Sequence, residues 1–308
     1  MIKVENLSKY YGKKRAIHKL NFELKKGEVV GLLGLNGSGK TTTIRILSSY
    51  LIPTEGEGYI DGINIFQNPL EVKKRIGYLP ESPPLYKDLT VKEYLTFVAR
   101  IKAIPQNKIA AEIAAATSQT GTSEQENQLI AHLSLGYRKR VGIAQAILGS
   151  PSVVIMDEPV SGLDPKQIVE MRNMIRSLSG KHTVLISSHI LSELQKTCDR
   201  FLFLQEGNLV LDYSREKLDT EIARLSGLHI VLEGPSQETC AKTIQASLPE
   251  GTFSYQGDST EGFAYLIQTN AEEAFRNTII AELAKSQCNL HSLSKQEITL
   301  EDIFNRLN

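Results

Sequence analysis

At 308 residues, 41% of them apolar, the chain can bury one large or two modest cores. Its formal net charge of zero excludes a strong overall attraction to nucleic acid or acidic lipid. No apolar stretch approaches the ~20 residues of a membrane span and no signal-peptide core opens the chain, so a membrane role calls for spans on other chains. The charge is unevenly spread. Residues 1–214 hold 27 Lys+Arg against 21 Asp+Glu, and residues 215–308 hold 8 against 14. That shift marks a domain boundary near 215 and suits a phosphate-binding first part. Three well-separated cysteines, Cys198, Cys240 and Cys288, lack metal-like spacing and point to free thiols in a reducing cytosol.

Residues 2–7 and 20–24 alternate apolar and polar side chains, the period of antiparallel strands with one buried face. Between them Tyr10, Tyr11 and Gly12 read as a basic loop, where an aromatic face either stacks on a nucleobase or covers a hairpin. Val29, Val30, Leu32 and Leu33 predict a buried strand, and Ile44, Ile46 and Leu47 recur like the inner face of a helix. Between that strand and helix, residues 34–41 (GLNGSGKT) have the spacing and the context of a phosphate loop. Gly34, Gly37 and Gly39 let the backbone turn tightly, so that loop amides, Asn36 and Ser38 among them, approach phosphate oxygens. The helix N-terminus adds partial positive charge at the same place. Lys40 is placed for the β- and γ-phosphates and the Thr41 hydroxyl for Mg²⁺.

Further on, Pro53 and three glycines surround a short strand at 58–60, and Asp61-Gly62 is a hairpin signal. A strand from Arg75 ends at Pro80, Glu81 and the proline-bounded loop of Pro83 and Pro84. Residues 91–103 and 106–118 read as helices and 121–128 as a surface turn, which makes 88–150 a helical insert. Ser134 is a helix N-cap, and a hydroxyl beside first-turn amides is a second anion site. Four apolar residues from Val153 lead into Asp157 and Glu158, a buried parallel strand presenting carboxylates at its C-terminal end, where ligands bind in open α/β sheets. Asp157 is placed to hold Mg²⁺ through water, and Glu158 to orient or deprotonate an attacking water. Asp164-Pro165 opens a helix. A second buried strand, 183–187, is followed by His189, placed to reach a γ-phosphate. Strands 201–204 and 208–211 close the first domain as a hairpin around Gly207.

From 215 the order is strand 228–232, helix 236–247, strands 252–256 and 263–268, helix 271–286 and strand 289–294, the ferredoxin-like βαββαβ pattern. Thr299 to Asp302 reads as a capping box opening a last helix with Ile303, Phe304 and Leu307. Nothing in this part has catalytic spacing.

The phosphate loop, LSLGYRKR at 133–140, VVIMDEPVSGLD at 153–164 and SSH at 187–189 occur in the order found in ATP-binding-cassette (ABC) ATPases. Residues 1–212 resemble that family, most nearly the subgroup that serves multidrug, polysaccharide or gliding-motility export with membrane subunits on separate chains. The resemblance implies an α/β fold: a P-loop NTPase ABC cassette over 1–214, with a mixed sheet core, an antiparallel β subdomain and the helical insert. A small α+β ferredoxin-like accessory domain over 215–308 would follow. It implies ATP hydrolysis with Mg²⁺. Tyr11 would stack on adenine, Lys40, Thr41 and Thr42 would hold phosphates and metal, and Glu81 would sense Mg²⁺ and touch the membrane partner. Asp157 would hold the metal indirectly, Glu158 would act on water and His189 would contact the γ-phosphate. Ser134 and Gly136 would reach the nucleotide of an opposite subunit, and Asp164 would lie at that seam. Glu81 stands where the family has glutamine, Leu135 where it has the first signature glycine, and Tyr137 where it has the signature glutamine.

The expected partners are a second copy or a related ATPase, and a transmembrane permease on a separate chain. The expected place is the cytoplasmic face of the cell membrane, with no nucleic acid bound. The alternatives are a soluble non-transport cassette and a regulatory ATP-binding module of low turnover. One phosphate loop and no sustained heptads speak against the former.

Overall fold

The alternation at the start of the chain buries Ile2, Val4 and Leu7 on one face of strand β1 (Ile2–Tyr11), which pairs antiparallel with β2 (Lys14–Leu24). In this computed structural model, which describes residues 1–248, 250–269, 271–296 and 302–303, only Gly12 and Lys13 join the two strands. Tyr10 and Tyr11 therefore lie in the strand and not in a loop. Gly12 at φ +59° permits the tight reversal, and the ladder extends to the Tyr11–Lys14 pair.

The chain divides into two units, Met1–Arg215 and Glu216–Asn308. In the first, β3 (Val29–Leu33) leads into helix α1 (Lys40–Leu47). Strands β4 (Glu55–Ile60) and β5 (Ile63–Asn64) turn across Asp61 and Gly62, both at positive φ as a two-residue hairpin requires. With β4 beside β1, the first sheet runs β2-β1-β4-β5. Helix α2 (Pro69–Arg75) was not anticipated. Pro69 in the first turn and a basic last turn are start and stop signals, but only Val72 is buried, too little for a period.

Strand β6 (Ile76–Leu79) precedes the insert of α3 (Val91–Ile101), α4 (Ile109–Thr120) and α5 (Leu135–Ile147). A reciprocal Thr90–Glu93 box starts α3. Helix α4 starts three residues later than expected because Lys108 N–H closes a turn onto Pro105 O at 2.8 Å. Then come β7 (Val153–Asp157), α6 (Pro165–Ser177), β8 (Thr183–Ser188), the unanticipated short α7 (Leu191–Thr197), β9 (Arg200–Gln205) and β10 (Asn208–Ser214). The second sheet runs β10-β9-β3-β8-β7-β6, parallel except for β10. Every residue of β3, β7 and β8 is buried, which explains their unbroken apolar runs. One core joins Ile2 and Leu24 of the first sheet to Leu47 of α1 and to Leu32, Leu185 and Leu202 of the second.

Helix α8 (Arg215–Leu225) opens at the boundary residue and leads into β11 (Gly227–Glu233), α9 (Gln237–Ser247), β12 (Thr252–Ser259), β13 (Gly262–Gln268), α10 (Glu272–Leu283) and β14 (Asn289–Gln296) of the second unit. The antiparallel sheet runs β12-β13-β11-β14, the ferredoxin-like order. Helix α8 was missed, although Leu218, Ile222 and Leu225 have helical spacing. Cys240 and Cys288, distant in sequence, lie with sulfurs 3.4 Å apart in the core with Ile230, Ile244, Phe275 and Ile279. Of the expected last helix only Asp302 and Ile303 are described, and both are helical.

The C-terminal end of α5 is closed by the Lys102 ammonium, which donates to Gln145 O at 2.9 Å, Ala146 O at 3.0 Å and Leu148 O at 2.9 Å. Burial pushes this ammonium from 10.5 down to about 8, against a smaller upward pull from Glu112. The unfolded chain therefore holds more protons between those two values, so this group makes stability rise with pH across the window. Urea titrations spanning it should show that rise in the wild type and its loss in Lys102→Met.

Candidate active site

The carboxyl edge of the parallel sheet gathers the chemistry. The segment after β3 carries residues 34–39, that after β6 carries Glu81, β7 ends at Asp157 and Glu158, and β8 is followed by His189. A cavity of about 530 Å³ opens at this edge, and Asp157 is not part of its lining. Asn36, Gly37, Gly39, Lys40, Thr41 and Thr42 line one side, Tyr11 another, and Glu81, Glu158 and His189 the rest. Gly34 and Ser38 lie in the loop behind this lining. Lys14, Arg15 and Ala16 also line the cavity beside Tyr11. They were missed as site residues, although the basic run after Gly12 was a signal.

Two glycines of the loop have no substitute. A Cβ on Gly34 would stand 2.3 Å from Leu204 O, and one on Gly39 would stand 2.6 Å from Ile17 Cγ2; both have positive φ. Lys40, 6% exposed, spans the loop from inside, donating to Gly34 O at 2.6 Å and Leu35 O at 3.2 Å. Burial lowers its affinity for the proton, opposed by the negative charges of Glu158 and Asp157. Ser38 Oγ is buried with no hydrogen-bond partner, an orphan that an anion in the loop could satisfy.

The carboxylates are held differently. Asp157 accepts a hydrogen bond from the Ser187 hydroxyl. Glu158, 8% exposed, sits at φ +50°, a conformation that costs a side-chain-bearing residue about 1 kcal/mol or more and marks functional sites. Its Oε2 lies 2.8 Å from His189 Nδ1, which donates to the carboxylate in its ionised form. Among the described residues no three His, Cys, Asp or Glu side chains gather to hold a metal. A cation at Thr41, Glu81 and Asp157 would thus rely on ligand oxygens and water, and this hard oxygen set suits Mg²⁺.

Ser134, Gly136 and Asp164 do not line the cavity. Gly136 and Asp164 instead share Gln167 as a neighbour. Asp164 caps α6 by accepting from Gln167 N–H at 2.9 Å, and a Cβ on Gly136 would touch Gln167 Oε1 at 2.8 Å. Ser134 caps α5, accepting from Tyr137 N–H at 3.3 Å. Ser134, Leu135, Tyr137 and Asp164 are exposed and lie outside the cavity lining.

A cleft with a buried ammonium and loop amides on one wall and strand-end carboxylates on the other is built for a phosphate chain and for water attack on it. It defines the class of phosphate-loop nucleotide hydrolases. Residues 17–161 match the family model described as ABC transporter. The chain is 41% identical over 212 residues to the bacitracin transport ATP-binding protein BcrA of Bacillus licheniformis, covering 68% of each chain. It is 30% identical over 309 residues to the BcrA of Enterococcus faecalis, covering 100% of this chain and 96% of that one. A dimeric bacterial ABC transporter cassette superposes with a TM-score of 0.62 at 27% identity, over 70% of this chain and 99% of that one. The chain belongs to the ABC transporter family, as its nucleotide-binding ATPase subunit. The soluble non-transport alternative is not favoured, since these relatives are transport ATP-binding proteins. Among the described residues no helix is long and apolar enough to cross a membrane.

Proposed function

We propose that the chain is the motor subunit of an exporter whose spans lie on a separate permease, working at the cytoplasmic face of the membrane. The observation that carries this reading is the convergence of Lys40, Glu158 and His189 on one cavity. Tyr11 stacks on adenine there. The loop from Gly34 through Asn36, Gly37, Ser38 and Gly39, with Lys40 and Thr42, binds the phosphates. Thr41, Glu81 and Asp157 hold Mg²⁺, which when bound supplies counter-charge to the β- and γ-phosphates. Glu158 takes the proton of the attacking water while His189, hydrogen-bonded to it, contacts the γ-phosphate. Transport of an antibiotic such as bacitracin is the cargo reading that the relatives' names favour.

Two copies would pair head to tail. The exposed Ser134 and Asp164 of one copy, with the buried Gly136 beneath Ser134 in the first turn of α5, then meet the phosphates bound by the other, so the triphosphate bridges two protomers and its cleavage releases them. The dimeric cassette among the solved neighbours supports pairing of two copies. Residues 215–308 act as an accessory domain.

The permease would dock on a groove of about 370 Å³ between the end of β6 and helix α3, lined by Tyr50, Tyr78, Pro83, Pro84, Tyr94 and Ile101. Ile101 is 68% exposed, and Tyr86 lies close by against Tyr94 and Phe97. Exposed apolar side chains grouped in this way mark an interaction site. Putting glutamate at Tyr86 and Ile101 together should abolish co-purification with the membrane subunit in detergent while leaving ATP hydrolysis by the isolated chain unchanged. Co-purification with ribosomes in place of a membrane protein would overturn the reading.

A further inference from the structure

We infer that Lys139 and Ser187 are positioning residues that jointly aim the Glu158 carboxylate, an inference that rests on the role proposed above for Glu158. The two side chains grip opposite sides of the same residue. Lys139 Nζ donates to Glu158 O at 2.8 Å. Glu158 N–H donates to Ser187 O at 3.1 Å and Ser187 Oγ at 3.2 Å. The left-handed φ of Glu158 persists only if its surroundings over-determine it, and these bonds supply that constraint.

The Ser187 hydroxyl has its directions fixed. It accepts from the Glu158 amide, so its own proton goes to Asp157 Oδ1. Both carboxylate-bearing residues are thereby referenced to one fully buried oxygen. A hydrogen bond that fixed only the strand would not need to touch both.

Lys139 is 3% exposed, yet an apolar residue would fill the same volume without desolvating an ammonium. Burial lowers its proton affinity, and the charges of Glu81 and Glu158 oppose that. The ammonium, fixed on Glu158 O, therefore stands within electrostatic reach of both carboxylates. Because Lys139 belongs to α5, the backbone of Glu158 is fastened to the helix that Ser134 caps and whose first turn carries Gly136. A shift of that helix moves the carboxylate that acts on water.

The test compares the full chain with Lys139→Met, Lys139→Gln, Ser187→Ala and Glu158→Gln. Methionine keeps the aliphatic stem of Lys139 and lets the fold survive. The readouts are kcat and KM for ATP, the Kd of a fluorescent ATP analogue, melting temperature, and the lifetime of the ATP-held dimer by light scattering. Lys139→Met and Ser187→Ala should lower kcat by about 10- to 100-fold, with KM, nucleotide Kd and melting temperature unchanged and a longer-lived dimer. Lys139→Gln, which still offers a donor to Glu158 O, should recover most of the rate. Wild-type kcat in the Met and Ala variants beside an inactive Glu158→Gln overturns this inference alone. Loss of kcat together with nucleotide affinity and melting temperature also overturns it, because the contacts are then merely structural. Wild-type hydrolysis by Glu158→Gln removes the role of Glu158, and this inference falls with it.

Discussion

Replacing Glu158 by glutamine should cut ATP hydrolysis by about 10²–10⁴-fold while nucleotide still binds. The amide is nearly isosteric with the carboxylate, and its oxygen can still accept from His189 Nδ1. The backbone bonds to Ser187 and Lys139 involve only the main chain of Glu158 and survive the change. What is lost is the base for the attacking water. Removing a negative charge beside the phosphates also lowers repulsion, so affinity for ATP holds or rises. Bound but uncleaved ATP should then accumulate as a stable dimer, seen by light scattering as a doubling of mass on adding MgATP. Phosphate release at the wild-type rate would show that another group activates water.

The second large effect is expected from Lys40→Met. Lys40 contributes a positive charge from inside the loop, where burial keeps water from competing. Loss of a charged hydrogen bond of this kind corresponds to an affinity about 10- to 100-fold weaker. The folded apo chain should not suffer, because methionine fills the volume without a buried charge to satisfy. The rise in melting temperature that ATP gives the wild type should therefore shrink sharply, while the melting temperature without nucleotide stays put. A variant that keeps the full nucleotide-dependent rise would remove Lys40 from the phosphate site.

These expectations join local and long-range information, and the sequence carries only the first directly. Residues 34–41 are contiguous, so their spacing could be read without knowing any contact. The same holds for the apolar runs of β3, β7 and β8, whose burial on both faces leaves no alternation, and for the βαββαβ order of the second unit. Hydrophobic period, caps and turn residues act over a few positions, and their physics is written in neighbouring letters. Short elements with one buried side chain, such as α2, fall below that signal.

Only the tertiary structure decided which distant letters meet. Placing β8 between β3 and β7 brings His189 to Glu158 and Ser187 to Asp157. Packing of α5 aims Lys139 at the Glu158 carbonyl. Strand pairing through Gly12 put Lys14 and Arg15 beside Tyr11, and the second core put Cys240 against Cys288. The physical reason is that strand order and register follow from burial summed over the whole chain, so no single segment contains them.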